Sequence, residues 1–166
     1  MLARTILDNP HLVRKRKVLD LGSGCGAVAV AAIASGATMV VANDIDPDAS
    51  TAALANAELN NITGNIVTDT RDILNSNFDV LKDIDVLLIG DMFYDEHIGG
   101  SVLNICKKFK ALDRSKEVLM GDPGRWFLET SSEVDNLFWC MTKHALGEEC
   151  RKENYGFHQG MVWRFK

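Results

Sequence analysis

Val18-Leu19-Asp20-Leu21-Gly22-Ser23-Gly24-Cys25-Gly26 decides how this chain folds. An apolar run ends at Gly22, after which glycines alternate with small residues up to the alanine-rich stretch Ala27 to Ser35. A short apolar run closed by glycines reads as a buried parallel strand, here Lys17 to Leu21, and the stretch behind it as the helix of a β-α unit. Gly36 is placed to cap that helix. Ligands of open α/β sheets sit beyond the carboxyl ends of the strands, at a switch point after the first strand. Gly22, Gly24 and Gly26 fall there, and without Cβ atoms they let the backbone turn sharply and approach a ligand. Their amides, with the helix N-terminus, favour a carboxylate or phosphate.

Outward from the loop, strands and helices alternate. Leu2 to Leu7 has helical spacing and stops at Asp8-Asn9-Pro10. Met39 to Ala42 reads as a second strand, after which Asp46 caps and Pro47 opens a helix running through Asn60. Further strands are expected at Asn65 to Thr68, Asp85 to Ile89 and Glu117 to Met120, with a helix from about Gly100 to Phe109. The tail, Leu137 to Leu146 and Gly160 to Phe165, reads as two longer strands around a polar loop. Right-handed crossovers place the first five strands in one parallel sheet with helices on both faces, and the tail as an antiparallel hairpin at its edge.

The 166 residues, 46% of them hydrophobic and 25% charged, suit one domain with a substantial core. A formal charge of −5 argues against a nucleic-acid partner, because phosphate binding needs a basic face. The basic run Arg14-Lys15-Arg16-Lys17 reads as a solvated loop. Cys25, Cys106, Cys140 and Cys150 form no CxxC pair, and the histidines no i, i+4 pair. Reduced thiols and no metal are expected. No apolar run approaches the ~20 residues of a membrane span, and no signal peptide is visible.

A glycine-rich loop alone also suits dinucleotides, but here the spacing is G-x-G-x-G, and Asp20 stands where a pyrophosphate would meet an unwelcome negative charge. A carboxylate there suits the amino group and sulfonium of S-adenosyl-L-methionine; a loop-capping role is the plain alternative. The expected cofactor site comprises Asp20, Gly22, Ser23, Gly24, Gly26, Asp44, Ile45, Asp72 and Asp91. Asp44, about twenty residues past the loop, can accept both ribose hydroxyls. Asp72 can take the adenine amino group, or is simply an exposed loop acid.

After the fourth strand comes Gly90-Asp91-Met92-Phe93-Tyr94-Asp95. Methyl transfer to nitrogen is an in-line displacement on a neutral amine, whereas lysine arrives protonated. Asp91 can hold the ammonium, and an aromatic wall from Phe93 and Tyr94 can lower its pKa by desolvation, so these three are the expected catalytic residues. The fifth strand ends in Gly121-Asp122-Pro123-Gly124-Arg125, a tight turn whose Asp122 and Arg125 are further acceptor-binding candidates beside Asp91 and Tyr94.

With Val18 to Ala27, Ala42 to Pro47, Gly90 to Glu96 and Gly121 to Arg125 in place, the chain resembles the seven-β-strand protein-lysine methyltransferases that act on the electron transfer flavoprotein β subunit. The resemblance implies a Rossmann-like class I methyltransferase fold, with a mostly parallel seven-stranded sheet and an antiparallel C-terminal hairpin. It assigns Asp20 and the glycines to the methionine end of the cofactor, Asp44 to the ribose, Asp72 to the adenine side, and Asp91 to Tyr94 to a D-x-x-Y element positioning the lysine. It implies a mitochondrial-matrix enzyme, a monomer without nucleic-acid or membrane partners, that dampens electron transfer into the flavoprotein. Family members carry a longer N-terminal region, so a segment before Met1 is expected to be missing. Ribosomal-protein methylation, and an inactive cofactor-binding module, stand as alternatives.

Overall fold

The computed structural model describes residues 1–62, 64–75, 78–153 and 156–166, save for the side chains of Phe78, Cys150 and Glu153. The thiol of Cys150 thus lies outside the described residues; Cys25, Cys106 and Cys140 are free thiols. One seven-stranded sheet has the order β3-β2-β1-β4-β5-β7-β6. Its strands are β1 (Lys17–Leu21), β2 (Met39–Asn43), β3 (Ile66–Asp69), β4 (Val86–Gly90), β5 (Glu117–Asp122), β6 (Phe138–Ala145) and β7 (Gln159–Phe165). The first five pair in parallel, and β7 pairs antiparallel with both β5 and β6. The expected architecture, parallel with an antiparallel closing hairpin, is the one observed.

Alternation along the strands builds two cores. Leu19, Leu21, Leu87, Ile89, Val118 and Met120 join one cluster, while Val18, Val40, Val86, Leu88 and Leu119 join the other. The first is covered by α4 (Glu96–Leu112), whose Val102, Leu103, Cys106 and Phe109 recur at helical spacing and are fully buried. The second is covered by α1 (Leu2–Asp8), α2 (Ala27–Ala34) and α3 (Pro47–Leu59), through Leu2, Ile6, Ala29, Ala32 and Ala53. Helices therefore lie on both faces, as a buried parallel sheet requires. At the edge of the sheet remote from the glycine loop, the Lys116 ammonium donates to the carbonyls of Leu81, Lys82 and Ile84 and sits 5.0 Å from the Phe109 ring. These contacts compensate an otherwise costly buried charge.

Helix boundaries follow local chemistry. Asp46 accepts from the Asp48 amide at 2.9 Å with Pro47 at the first helical position, so the expected cap of α3 is present. The helix expected from Gly100 starts earlier, at Glu96, because Asp95 caps it by accepting from the Ile98 amide at 2.8 Å. Glycines at 99 and 100 pointed to a later start, but Gly99 is there for packing: a Cβ would lie 2.5 Å from the Phe127 ring. Two short helices, α5 (Trp126–Thr130) and α6 (Ser132–Leu137), occupy a stretch for which no element was expected. A third, α7 (Glu148–Glu153), interrupts the expected polar loop of the hairpin. Among the described residues, no helix is long and apolar enough to cross a membrane.

Candidate active site

The strand order reverses between β1 and β4, and the cleft opens there, at the carboxyl ends of the strands. It has a volume of about 470 Å³ and is lined by Leu21, Gly22, Gly24, Asn43, Asp44, Ile45, Asp72, Ile73, Leu74, Asn75, Met92, Tyr94, His97 and Ile98. Six expected site residues thus share one cavity: Gly22, Gly24, Asp44, Ile45, Asp72 and Tyr94. The size suits a nucleoside-sized ligand. Ile45 is 70% exposed at the mouth, an apolar surface that such a ligand would cover.

The glycine loop is shaped by bonds to the neighbouring strand. The Ser23 amide donates to the Asn43 carbonyl at 2.9 Å, the Gly24 amide to Asp44 Oδ2 at 2.9 Å, and the Gly26 amide to the Ser23 carbonyl at 2.9 Å. These amides were expected to face an anionic ligand group; they hold the loop instead. Each glycine has a left-handed φ, with separate consequences. At Gly24 a Cβ would meet nothing within 4 Å, so this position faces open space. At Gly26 it would lie 2.7 Å from Ala53 Cβ, so Gly26 serves the docking of α3 and does not line the cleft.

Asp44 works on two sides: Oδ2 accepts from Gly24 and Oδ1 from the Asp46 amide at 3.1 Å. Each oxygen keeps a second lone pair for a hydroxyl. Asp72 accepts from Asn75 through its amide at 3.2 Å and its side chain at 2.8 Å, which orients the carboxylate at the cleft. Asn43, in turn, donates from its side chain to the carbonyls of Asp69 and Arg71, fixing the ends of β2 and β3 relative to each other. Asn43, Ile73, Leu74, Asn75, Met92, His97 and Ile98 were not singled out from the sequence as cofactor residues. The run Ile73 to Asn75 was findable, because it continues directly from Asp72.

Asp20 and Ser23 stand differently from expectation. Asp20 is buried beneath the loop and does not line the cleft; its Oδ2 and the Ser23 Oγ are buried without a hydrogen-bond partner among the described residues. Burial pushes the Asp20 carboxyl up to about 7, opposed by the Ala29 amide and assisted by the negative charge of Asp44. Its folded-state value is therefore above the unfolded one. Between roughly pH 4 and 7 the folded chain keeps a proton that the unfolded chain has released, so stability falls as pH rises through that window and levels off above it. Asp20→Asn, which retains an acceptor for the Ala29 amide, is expected to match the parent's melting temperature at pH 4 and exceed it by at least ~3 °C at pH 8. A difference independent of pH would rule this out.

At the acceptor edge, the structure divides the expected aromatic wall. Tyr94 is exposed and lines the cleft, whereas Phe93 is fully buried and stacks on Phe127 with ring centroids 5.9 Å apart. Phe93 is a core residue and offers no exposed face to an acceptor; two residues before it the backbone takes the left-handed region at Asp91, with φ 51°. Asp122 is likewise corrected. It is fully buried, and its Oδ1 accepts from the amides of Gly124 and Arg125 at 2.7 Å, so it shapes the turn and presents no surface to an acceptor. Burial raises its pKa, with those two amides opposing. Arg125 reaches back across the edge: its Nε and a terminal nitrogen donate to the two Asp91 oxygens at 2.5 and 2.8 Å, and its Cζ lies 4.4 Å from the Tyr94 ring. Asp91 is thus paired with Arg125, a contact for which the sequence carried no expectation.

Comparison with known proteins follows the same division of the sheet. Residues 3–86 match the family model "Ribosomal protein L11 methyltransferase (PrmA)", which ends as β4 begins. The human electron transfer flavoprotein beta subunit lysine methyltransferase is 42% identical over 99% of this chain and 61% of its own length. The Caenorhabditis elegans homolog of that protein is 32% identical over 99% of this chain and 73% of its own length. Among solved structures, ribosomal protein L11 methylase from Lactobacillus delbrueckii subsp. bulgaricus superposes with a TM-score of 0.69 at 24% identity, covering 99% of this chain and 77% of that one. The chain spans about three fifths of the length of the human relative. A methyltransferase match over the cofactor half and lysine-methyltransferase matches over nearly the whole sequence place it plainly: the chain belongs to the PrmA-type methyltransferases, in the group of the electron transfer flavoprotein beta subunit lysine methyltransferases.

Proposed function

We propose that residues 1–166 form one methyltransferase domain that binds S-adenosyl-L-methionine in the β1–β4 cleft and methylates a protein lysine. The substrate is the electron transfer flavoprotein β subunit in the mitochondrial matrix, and its modification dampens electron transfer from the dehydrogenases. The observation that carries this reading is Tyr94, which belongs both to the nucleoside-sized cleft and to the charged Asp91–Arg125 cluster. A donor site and a cation-binding acceptor site thus meet at one side chain.

The chain's own groups divide the work. Asp44 receives the ribose hydroxyls, Asp72 the exocyclic amine of the base, and Gly22 and Gly24 let the backbone come close. Asp20 lies buried beneath the loop, and a positively charged amino group bound above it would favour its ionised form. Ile45, Ile73 and Leu74 cover the ring and exclude water. When bound, the cofactor would supply a methyl on a sulfonium: the S–CH3 bond would break with its electrons kept by sulfur, and an N–CH3 bond would form at an amine whose proton has passed to solvent water. Asp91 and Tyr94 bind the approaching ammonium and align it, which is where much of the rate advantage of a displacement on a held pair arises.

The test is intact mass of recombinant flavoprotein β subunit after incubation with the chain and cofactor. Steps of one methyl group on the β subunit are expected. Methyl on a ribosomal L11-type protein instead would move the reading to the alternative that the family model favours. Binding of cofactor with methyl on neither protein would reduce the chain to a cofactor-binding module.

A further inference from the structure

A carboxylate facing an aromatic ring makes a cation site, since the ring face and the anion attract the same charge. Between Asp91 and Tyr94 that place is taken by the chain itself. Arg125 pairs with both oxygens of Asp91 and stacks on Tyr94 at 4.4 Å, and its side chain is only 24% exposed. Its backbone amide is fixed by Asp122 Oδ1 at 2.7 Å, at the end of a turn in which Gly124 has a φ of 96°. Its position in sequence also matters. Trp126 beside it is 72% exposed, and Phe127 is the residue that packs α5 onto Gly99 and Phe93. The guanidinium thus hangs from a well-anchored turn on a long, rotatable stem.

We propose that the Arg125 guanidinium holds the place of the target lysine's ammonium between Asp91 and Tyr94, and that the substrate enters by displacing it. This rests on the reading of the site as lysine-methylating. Exchange of one cation for another keeps Asp91, whose side chain is 42% exposed, paired while the substrate enters. It also selects: competition from a tethered guanidinium weakens the binding of a free lysine, whereas one presented by a docked protein surface overcomes it more readily. Because the turn stays tied to Asp122, the displaced Arg125 remains nearby. A second positive charge beside the ammonium favours loss of the proton that methyl transfer requires. Arg125 is therefore a specificity-determining residue that tightens entry and assists the chemistry after entry.

The probe is Nα-acetyl-lysine N-methylamide, titrated into the chain saturated with S-adenosylhomocysteine. Arg125→Gln is expected to bind it at least ~5-fold tighter than the parent, because a competing state has been removed. With a protein substrate the same variant is expected to lower KM and kcat together, a split that a merely structural role would not produce. In the unmutated chain, the Arg125 Nε–H resonance is expected to be protected from solvent exchange and to lose protection as the probe saturates. Equal or weaker binding by the variant, an Nε–H unmoved at saturation, or no probe binding to either protein would each overturn the proposal and make Arg125 a permanent strut. Probe exchange with no methyl on any protein lysine would instead overturn the methylation reading and leave the exchange standing.

Discussion

Asp91→Asn is expected to lower kcat/KM for methylation of a protein lysine by about 10²- to 10³-fold while leaving the affinity for S-adenosylhomocysteine within about threefold. The substitution is chosen to spare the fold. Asparagine tolerates the left-handed φ of 51° at this position, and the backbone bond from residue 91 to the Gly121 carbonyl at 2.7 Å is untouched. Its amide oxygen can still accept one of the two bonds from Arg125. What disappears is the negative charge that attracts an ammonium beside Tyr94. Asp91 is absent from the lining of the cofactor cleft, so the two affinities should separate cleanly. Methyl incorporation read by intact mass and calorimetry with S-adenosylhomocysteine check the two halves. A variant that methylates at the parent rate would remove Asp91 from the acceptor site.

The second large effect concerns stability. Gly26→Val is expected to destabilise the chain by about 3–5 kcal/mol, visible as a lower urea midpoint with an unchanged slope. Gly26 has φ 76°, and a Cβ there would stand 2.7 Å from Ala53 Cβ and 2.9 Å from Ala53 Cα. The second of these is backbone, in the middle of α3, and cannot rotate away. A β-branched side chain meets both the conformational penalty and the clash. Gly24→Ala is the matched comparison, since φ is 51° there but a Cβ meets nothing. It carries only the conformational penalty, about 1 kcal/mol. Equal urea midpoints for the two variants would show that the contact with α3 is looser than its geometry indicates.

Most of the architecture could be read from the chain because several local signals agreed. Strand β1, the glycine turn and α2 each carry their own signature, and Asp46-Pro47 marks the start of α3. Elements that escaped are short or start on misleading residues. Helices α5 and α6 have five and six residues, too few to display a period, and they are held by Phe127, Leu128 and Val134 against the core. The start of α4 was hidden because Gly99 and Gly100 look like helix breakers, whereas Gly99 makes room for Phe127.

At the site, residue identity was legible and commitment to partners was not. Asp44 and Tyr94 reach the cleft because one directly follows β2 and the other lies in the short connection from β4 to α4, places the alternation of elements fixes. Phe93 and Tyr94 are adjacent and both aromatic, and nothing in their local sequence says that the first is buried and the second exposed. The pairing of Asp91 with Arg125 spans 34 residues of sequence, and no local pattern announces it. The same holds for the loop amides, whose partners Asn43 and Asp44 come from the neighbouring strand.

The pairing of β1 with β4 has a consequence for how reliably the two reactants meet. Leu21 lies opposite Ile89 in the parallel register, so the glycine loop and the turn that carries Asp91 leave the sheet side by side. Adjacent strands are spaced at about 4.8 Å by their hydrogen bonds. The sheet is thus a ruler: the spacing of the two strand ends from which the glycine loop and the Asp91 turn depart is set by backbone ladder geometry. Changes in the loops beyond β4 and β5 can alter the surface around Asp91, Tyr94 and Arg125 without disturbing that spacing.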